Sequence, residues 1–133
     1  MSHIIKLEVR DYECDIQGVV NNSVYQNYLE HARHKYLLDL GVNFADLATQ
    51  NINLMVIRSE LDYKSSLRPG DHFTVESSIS RISKIKFAFN QQIKSEQGKL
   101  VVDGVITGTA INERGRPFMP EFISELLDSK TAA

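Results

Sequence analysis

Residues 10–36 read RDYECDIQGVVNNSVYQNYLEHARHKY, and the reading of this stretch decides the fold. Its second half, running on to Leu40, carries Tyr25, Tyr28, Leu29, Ala32, Tyr36, Leu37 and Leu40 at spacings of three and four. Gln26, Asn27, Glu30, Arg33, His34 and Lys35 fill the other side. That is one apolar stripe on an amphipathic helix. Asn21, Asn22 and Ser23 all offer side-chain oxygens that can cap free N–H groups at its start, and Gly41 suits the position just past its end. From Ser23 to Leu40 the helix is roughly 27 Å long at 1.5 Å per residue. It needs a partner of similar extent, which a broad sheet supplies. The first half of the stretch is different. An extended segment ends in an acidic cluster, Asp11, Glu13 and Asp15, and a turn containing Gly18 follows over Ile16–Asn22. A carboxylate is thus set just upstream of a helix N-terminus, where unpaired N–H donors and partial positive charge collect.

The flanking sequence predicts the sheet. Upstream, Ile5, Leu7 and Val9 alternate with Lys6, Glu8 and Arg10, which predicts a strand over His3–Val9. Downstream, Phe44–Gln50 suits a short second helix. Strand patterns then follow over Ile52–Leu67, around Phe73, Val75 and Ile79, around Ile85, Phe87, Phe89 and Ile93, and over Leu100–Ile111. Turn signals separate them: Arg68-Pro69-Gly70-Asp71, the polar break at Ser83-Lys84, Glu96-Gln97-Gly98-Lys99, and Asn112–Pro117. Gly104 and Gly108 inside the last strand point to a bulge or a close backbone approach. Glu121–Leu127 reads as a terminal helical turn or two, and Asp128–Ala133 as a frayed tail. Consecutive strands joined by short turns pair antiparallel. One long helix on one antiparallel sheet of five strands is an α+β arrangement.

Composition narrows the function. At 133 residues the chain is expected to be one domain, residues 1–133, with no linker or repeat. Apolar residues make up 42% and charged ones 24%, values of an ordinary globular protein. A net charge of −2 with no basic block argues against nucleic acid as the partner. The single cysteine, Cys14, excludes an internal disulfide and fits a reducing compartment. MSHIIKLEV has no apolar core of a signal peptide, and no apolar run is long enough to span a membrane. These features predict a cytoplasmic protein.

Asp15 is the first candidate for chemistry. A carboxylate there can act as nucleophile or as general base on water, while free N–H groups at Asn22 and Ser23 can hold a carbonyl oxygen as it gains charge. Gly18 lets backbone approach a ligand. The alternative is a solvated turn residue. Cys14 adjoins Asp15, but neighbours on an extended segment face opposite ways, and Cys14 reads as a small buried apolar group. His31 and His34 lie three apart on a helix, yet no H-E-x-x-H pattern or cysteine pair accompanies them, so no metal is expected. Lys84, Lys86 and Arg81 form a small basic cluster that suits either a phosphate-bearing ligand or a solvated edge.

The opening segment, from Val9-Arg10-Asp11 through Asp15, Gly18, Val19-Val20 and Tyr25 to Glu30-x-Ala32-Arg33, resembles the 4-hydroxybenzoyl-CoA thioesterase-like family of hotdog-fold acyl-CoA thioesterases. Leu67-x-Pro69-Gly70-Asp71 and Gly115-Arg116-Pro117 with Pro120 add later matches. The resemblance implies a hotdog fold, in which a long central helix is wrapped by a curved five-stranded antiparallel sheet. It implies a homodimer joined sheet edge to sheet edge, or a homotetramer, with the site at the subunit interface. The position of Asp15 is then the catalytic carboxylate, the backbone N–H near Asn22 polarises the thioester carbonyl, and surface basic residues, for which Lys84 and Lys86 are positional candidates, hold the CoA phosphates. Many members carry a ring-bearing residue near Asn21 and Asn22; a backbone donor survives that departure.

The combined expectation is an acyl-CoA thioesterase that releases a free acid and CoA. Asp15 is its base or nucleophile, the N–H groups of Asn22 and Ser23 are its oxyanion donors, and Gly18 and Tyr25 line the substrate. CoA enters as part of the substrate, and no cofactor or metal is required. Three rivals differ in one feature each. An acyl-thioester dehydratase needs a histidine beside the acid, and only His72 can come from a strand. A binding module holds acyl thioesters without turnover. An interaction domain uses the helix face and sheet edges for assembly alone.

Overall fold

In the computed structural model of the chain, which describes residues 2–131, the long helix predicted from the apolar stripe is α1, Asn22–Asp39. It is preceded by β1, His3–Glu8, and a single 3-10 turn over Asp11–Glu13, and followed by α2, Phe44–Thr49. The strands are β2, Asn53–Tyr63; β3, His72–Arg81; β4, Phe87–Ser95; β5, Leu100–Ile111; and a two-residue β6, Pro117–Phe118. α3, Glu121–Thr131, ends the described chain. α3 therefore takes in residues 128–131 of the tail expected to fray, while Ala132 and Ala133 lie outside the described residues. The 3-10 turn and β6 are additions to the predicted elements.

All five long strands form one antiparallel sheet in the order β1-β3-β4-β5-β2, and β6 pairs with Ala110 and Ile111 of β5. The pairing of consecutive strands holds from β3 through β5 and fails for β2. That strand lies at the far edge, paired with β5 along its whole length. The reason is the connection over residues 64–71, which does not turn tightly. Lys64 N–H extends the ladder to Val101 O at 2.8 Å. The chain then crosses the start of α1, where Val20 N–H donates to Leu67 O at 2.9 Å and Leu67 N–H to the Tyr25 hydroxyl at 3.1 Å.

The core is two-sided. α1 contributes Tyr25, Tyr28, Leu29, Ala32, Tyr36 and Leu37, all buried. The facing sheet residues form rows across the strands. One row is apolar, Ile5–Val75–Ile93–Val102. The next, Ser77–Gln91–Gly104–Leu61, is small or polar in its middle. Leu29, fully buried, presses on this second row. A Cβ added at Gly104 would stand 2.7 Å from Leu61 Cδ2 and at ordinary contact distance, 3.6 Å, from Leu29 Cδ1, so the glycine makes room for the side chain of its cross-strand neighbour Leu61. Gln91, also fully buried, donates from Nε2 to Leu29 O at 3.0 Å and to Ser77 Oγ at 2.9 Å, and its Oε1 accepts from Arg33 Nη1 at 3.1 Å. Arg33, expected on the polar face, is thus half-buried with a partner in the sheet. Burial lowers the pKa of its guanidinium, an effect the nearby Glu30 only partly offsets.

Two further ties fix helices to the sheet. His3 stacks on Tyr36 and its Nε2 lies 2.6 Å from Asp39 Oδ2, binding β1 to the last turn of the helix. At the far end of β3, Arg81 donates to Ser124 Oγ at 2.8 Å and Asp128 Oδ1 at 3.2 Å, seating α3, whose Ile123 and Leu127 are buried. No helix among the described residues is long and apolar enough to cross a membrane.

Candidate active site

The loop between the 3-10 turn and α1 is held by its own backbone. Asp15 N–H donates to Val19 O at 2.9 Å, Gly18 N–H to Asp15 O at 3.0 Å, and Asn21 N–H to Glu13 O at 3.1 Å, while Cys14 and Val20 form an isolated antiparallel bridge. Asp15 begins a tight turn that ends at Gly18, whose φ is 75°. A Cβ at Gly18 would meet no protein atom within 4 Å, so within this chain the residue is required for its left-handed backbone. The Asp15 carboxylate is half-buried, and its Oδ1 accepts from Gln17 N–H at 2.9 Å. That bond fixes the side chain against its own turn and leaves Oδ2 without a partner among the described residues.

The loop delivers Asp15 to the start of α1. Both border a cavity of about 240 Å³ together with Asn21, Asn22, Tyr25, Tyr63 and Ser65. Asn21 is the N-cap: its Oδ1 accepts from Ser23 N–H at 3.0 Å and from Ser23 Oγ at 2.9 Å. The expectation of two oxyanion donors is corrected by this cap. The Ser23 N–H is committed to Asn21, which leaves the N–H of Asn22, for which no acceptor occurs among the described residues. Tyr25 is 2% exposed, borders the cavity and packs against the rings of Tyr28 and Tyr63. Burial raises its pKa, partly offset by the Leu67 N–H on its oxygen. Gly18 does not border the cavity.

Sequence reasoning missed Tyr63 and Ser65. Tyr63 stands at the end of β2, and its hydroxyl donates to Asn22 O at 3.4 Å. No periodicity could have assigned it, because the β2 end reaches α1 only through the crossing connection. The basic candidates fall elsewhere. Lys84 and Lys86 are exposed on the β3–β4 hairpin. The Asp15 loop adjoins the opposite end of β3, where Val9 N–H meets Asp71 O. Ten residues of β3 separate the two ends, roughly 30 Å at 3.4 Å per residue, so one chain does not bring these lysines to the carboxylate. His72 pairs with Glu8 at 3.3 Å and does not border the Asp15 cavity. The acid–histidine pair of a dehydratase is absent from this cavity. His31 and His34 are both exposed, the latter beside the ring of Phe44.

Cys14 is half-buried, with its thiol 3.9 Å from Arg10 O. Burial first, then the charges of Glu13, Asp15 and Asp11, push the thiol pKa up and keep it protonated. Because the thiolate is the reactive form, iodoacetamide at pH 7.5 is expected to alkylate Cys14 more slowly than free cysteine, and Cys14→Ser to keep kcat within about twofold. Labelling faster than free cysteine, or a larger kcat loss, would give Cys14 a chemical role.

A second cavity, about 340 Å³, opens between the second half of α1, α2 and the start of β2. Leu37, Phe44, Leu54 and Phe89 line it, with Arg33 and Glu30 as its charged groups.

Residues 9–127 match the family model of the thioesterase-like superfamily, and the chain belongs to that superfamily. It is 41% identical over 91 residues to the acyl-acyl carrier protein thioesterase ATL3, chloroplastic, of Arabidopsis thaliana; the match covers 68% of this chain and 48% of that protein. The chain therefore spans about half the length of this plant relative. It is 28% identical over 108 residues to the long-chain acyl-CoA thioesterase FadM of Escherichia coli, covering 80% and 81% of the two chains. The crystal structure of Slr0204, a 1,4-dihydroxy-2-naphthoyl-CoA thioesterase from Synechocystis, superposes with a TM-score of 0.88 over 96% of each chain, and at 17% identity that likeness is one of fold.

Proposed function

We propose that this chain hydrolyses an acyl thioester, an acyl-CoA first of all, to the free acid and the carrier thiol. The observation that carries the reading is the joint presence, in one cavity, of the turn-locked Asp15 carboxylate and the α1 N-terminus at Asn22. The thioester carbonyl oxygen faces the Asn22 N–H, where the helix end stabilises the charge it gains. Asp15 takes a proton from the attacking water, or attacks the carbonyl carbon itself and is freed by water in a second step. In either route the first tetrahedral adduct collapses with cleavage of the C–S bond, before the second water step when Asp15 attacks directly, and the thiolate leaves with a proton. This chemistry requires no metal or redox cofactor. In single turnover in H₂¹⁸O, label in the Asp15 carboxylate marks direct attack with the anhydride opened at its aspartyl carbon, and hydroxylamine trapping of the acyl-enzyme detects an anhydride opened at the substrate carbon.

The acyl chain is assigned to the cleft between α1 and β2. Both cavities border these two elements, with Tyr63 at one end of β2 and Asn53 to Val56 at the other. Lys64, next to Tyr63 and Ser65, is nearer the cavity along the chain than Lys84 or Lys86 and is the better placed basic residue for a carrier phosphate. The half-buried, unpaired Cys14 suits a reducing cytoplasmic setting.

Thiol release from short, long, branched and aryl acyl-CoAs and from an acyl-acyl carrier protein tests the reading. Turnover of at least one is expected. Tight binding with turnover of none would make the chain a binding module.

Among the described residues the outer edge of β2 has no strand beside it, and Met55, Val56 and Ile57 are each about half exposed there. A long apolar edge is a template for pairing, so the chain is expected to form a homodimer through β2, which also completes the cleft wall. It should sediment at about 30 kDa, twice its 15.1 kDa. Ile57→Asp should give a monomer with impaired turnover; a fully active monomer would refute the shared cleft.

A further inference from the structure

We propose that Glu13 and Tyr28 are a positioning pair, which sets the separation between the Asp15 carboxylate and the Asn22 N–H so that turnover depends on it while binding does not. The inference rests on the reading of Asp15 and the Asn22 N–H as the reacting groups. It begins with the bonds that converge on Glu13. Its Oε1 accepts from Arg10 N–H at 2.8 Å and from the Tyr28 hydroxyl at 2.8 Å, and its Oε2 lies 3.5 Å from Arg10 Nη1. Its backbone carbonyl accepts from Asn21 N–H at 3.1 Å. One residue therefore holds both ends of the loop. Asp15 follows it by two residues, and the peptide that Glu13 O grips immediately precedes the Asn22 N–H.

Tyr28 makes the grip rigid. It comes from the second turn of α1, so the same helix that presents Asn22 also anchors Glu13. Its ring is 5% exposed, lies 4.7 Å from Phe73 and meets Tyr25 edge-on at 6.1 Å, which fixes where the hydroxyl points. Burial, followed by the Glu13 carboxylate, holds the phenol proton well above its usual range, so the donor persists at any working pH. The Glu13 side chain is 11% exposed and has little room to choose another partner.

Neither residue borders the Asp15 cavity. Both border a separate cavity of about 190 Å³, which Leu7, Arg10 and His31 also line. They do not touch substrate, and their effect passes through the loop. Displacing a reacting group by about 1 Å costs on the order of 100-fold in rate, so a small loosening of this grip registers in kcat before it registers in binding.

The test uses Tyr28→Phe, which keeps the ring and removes only the donor, with Glu13→Ala, Glu13→Gln and Asp15→Asn, all assayed on the best acyl-CoA substrate. Glu13→Gln retains an acceptor for Arg10 N–H and Tyr28. The expected result is a kcat lower by about 5–10-fold in Tyr28→Phe and about 30–100-fold in Glu13→Ala, KM within about threefold in both, and recovery to within about fivefold of the parent in Glu13→Gln. Parental kcat in Tyr28→Phe overturns the pair, even if Glu13→Ala fails to fold. So does a kcat loss matched by a rise in KM and not relieved in Glu13→Gln, which marks general structural damage. Full activity in Asp15→Asn instead overturns the reading on which the pair rests; an inactive Asp15→Asn beside parental Tyr28→Phe and Glu13→Ala leaves that reading standing and removes the pair.

Discussion

Asp15→Asn is expected to lower kcat by about three orders of magnitude, within the range that a positioned general base contributes. The substitution is close to isosteric, and the Asn oxygen can still accept from Gln17 N–H, so the turn should survive. What disappears is the basic, nucleophilic oxygen. KM should change little, and thermal unfolding should stay within a few degrees of the parent, because no ion pair or buried partner of Asp15 is lost. The measurement is steady-state thiol release beside a melting curve. Parental turnover would remove the mechanism, and a collapsed melting temperature would make the residue structural. The contrast with Ser23→Ala is informative. With its N–H already held by Asn21, Ser23 should lose at most several-fold, through the cap.

The second large effect is on stability. Gln91→Ala is expected to cost about 3 kcal/mol, because it strands a buried serine hydroxyl and a half-buried guanidinium and leaves a void beneath the helix. For a chain of this size that lowers the melting temperature by roughly 10 °C. Gln91→Met restores volume without hydrogen bonds and should recover only part of the loss. Gln91→Glu keeps an acceptor for Arg33 and forfeits both donated bonds. Denaturant melts of the three variants read this directly. A Gln91→Met protein as stable as the parent would mean that the polar row holds nothing.

Much of the fold was legible because its elements have strong local signals. The apolar stripe of α1, the alternation of β1, β3 and β4, and the glycine turns are written within windows of about ten residues. The place of β2 was not. Its pattern announces a strand, but its neighbour is chosen by the path over residues 64–71 and by contacts with α1, which no window contains. Arg33 misled for a related reason: it takes a polar position on the helix, and its partner, Gln91, arrives from a strand far along the chain.

At the candidate site the legible part was local too. Asp15 and Asn22 lie seven residues apart in one loop, and an acid before a helix end is a readable arrangement. Tyr63 and Ser65 were invisible for the same reason as the place of β2. Lys84 and Lys86 looked suitable as charges, but sequence carried no sign that β3 would hold them an entire strand length from the acid. The Ser23 donor failed on a finer point: three adjacent candidate caps do not reveal which will consume which N–H.

The remote partnership of β2 also has a consequence in time. During synthesis β2 is finished at Tyr63, whereas β5, the strand it pairs with, is finished only at Ile111, 48 residues later. At about 5–20 residues per second this interval is roughly 2–10 s. Throughout it, the stretch Leu54-Met55-Val56-Ile57 lacks the strand it pairs with. The nascent chain is therefore most vulnerable to aggregation and to chaperone capture before β5 emerges, and slow codons between β2 and β5 would lengthen that exposure.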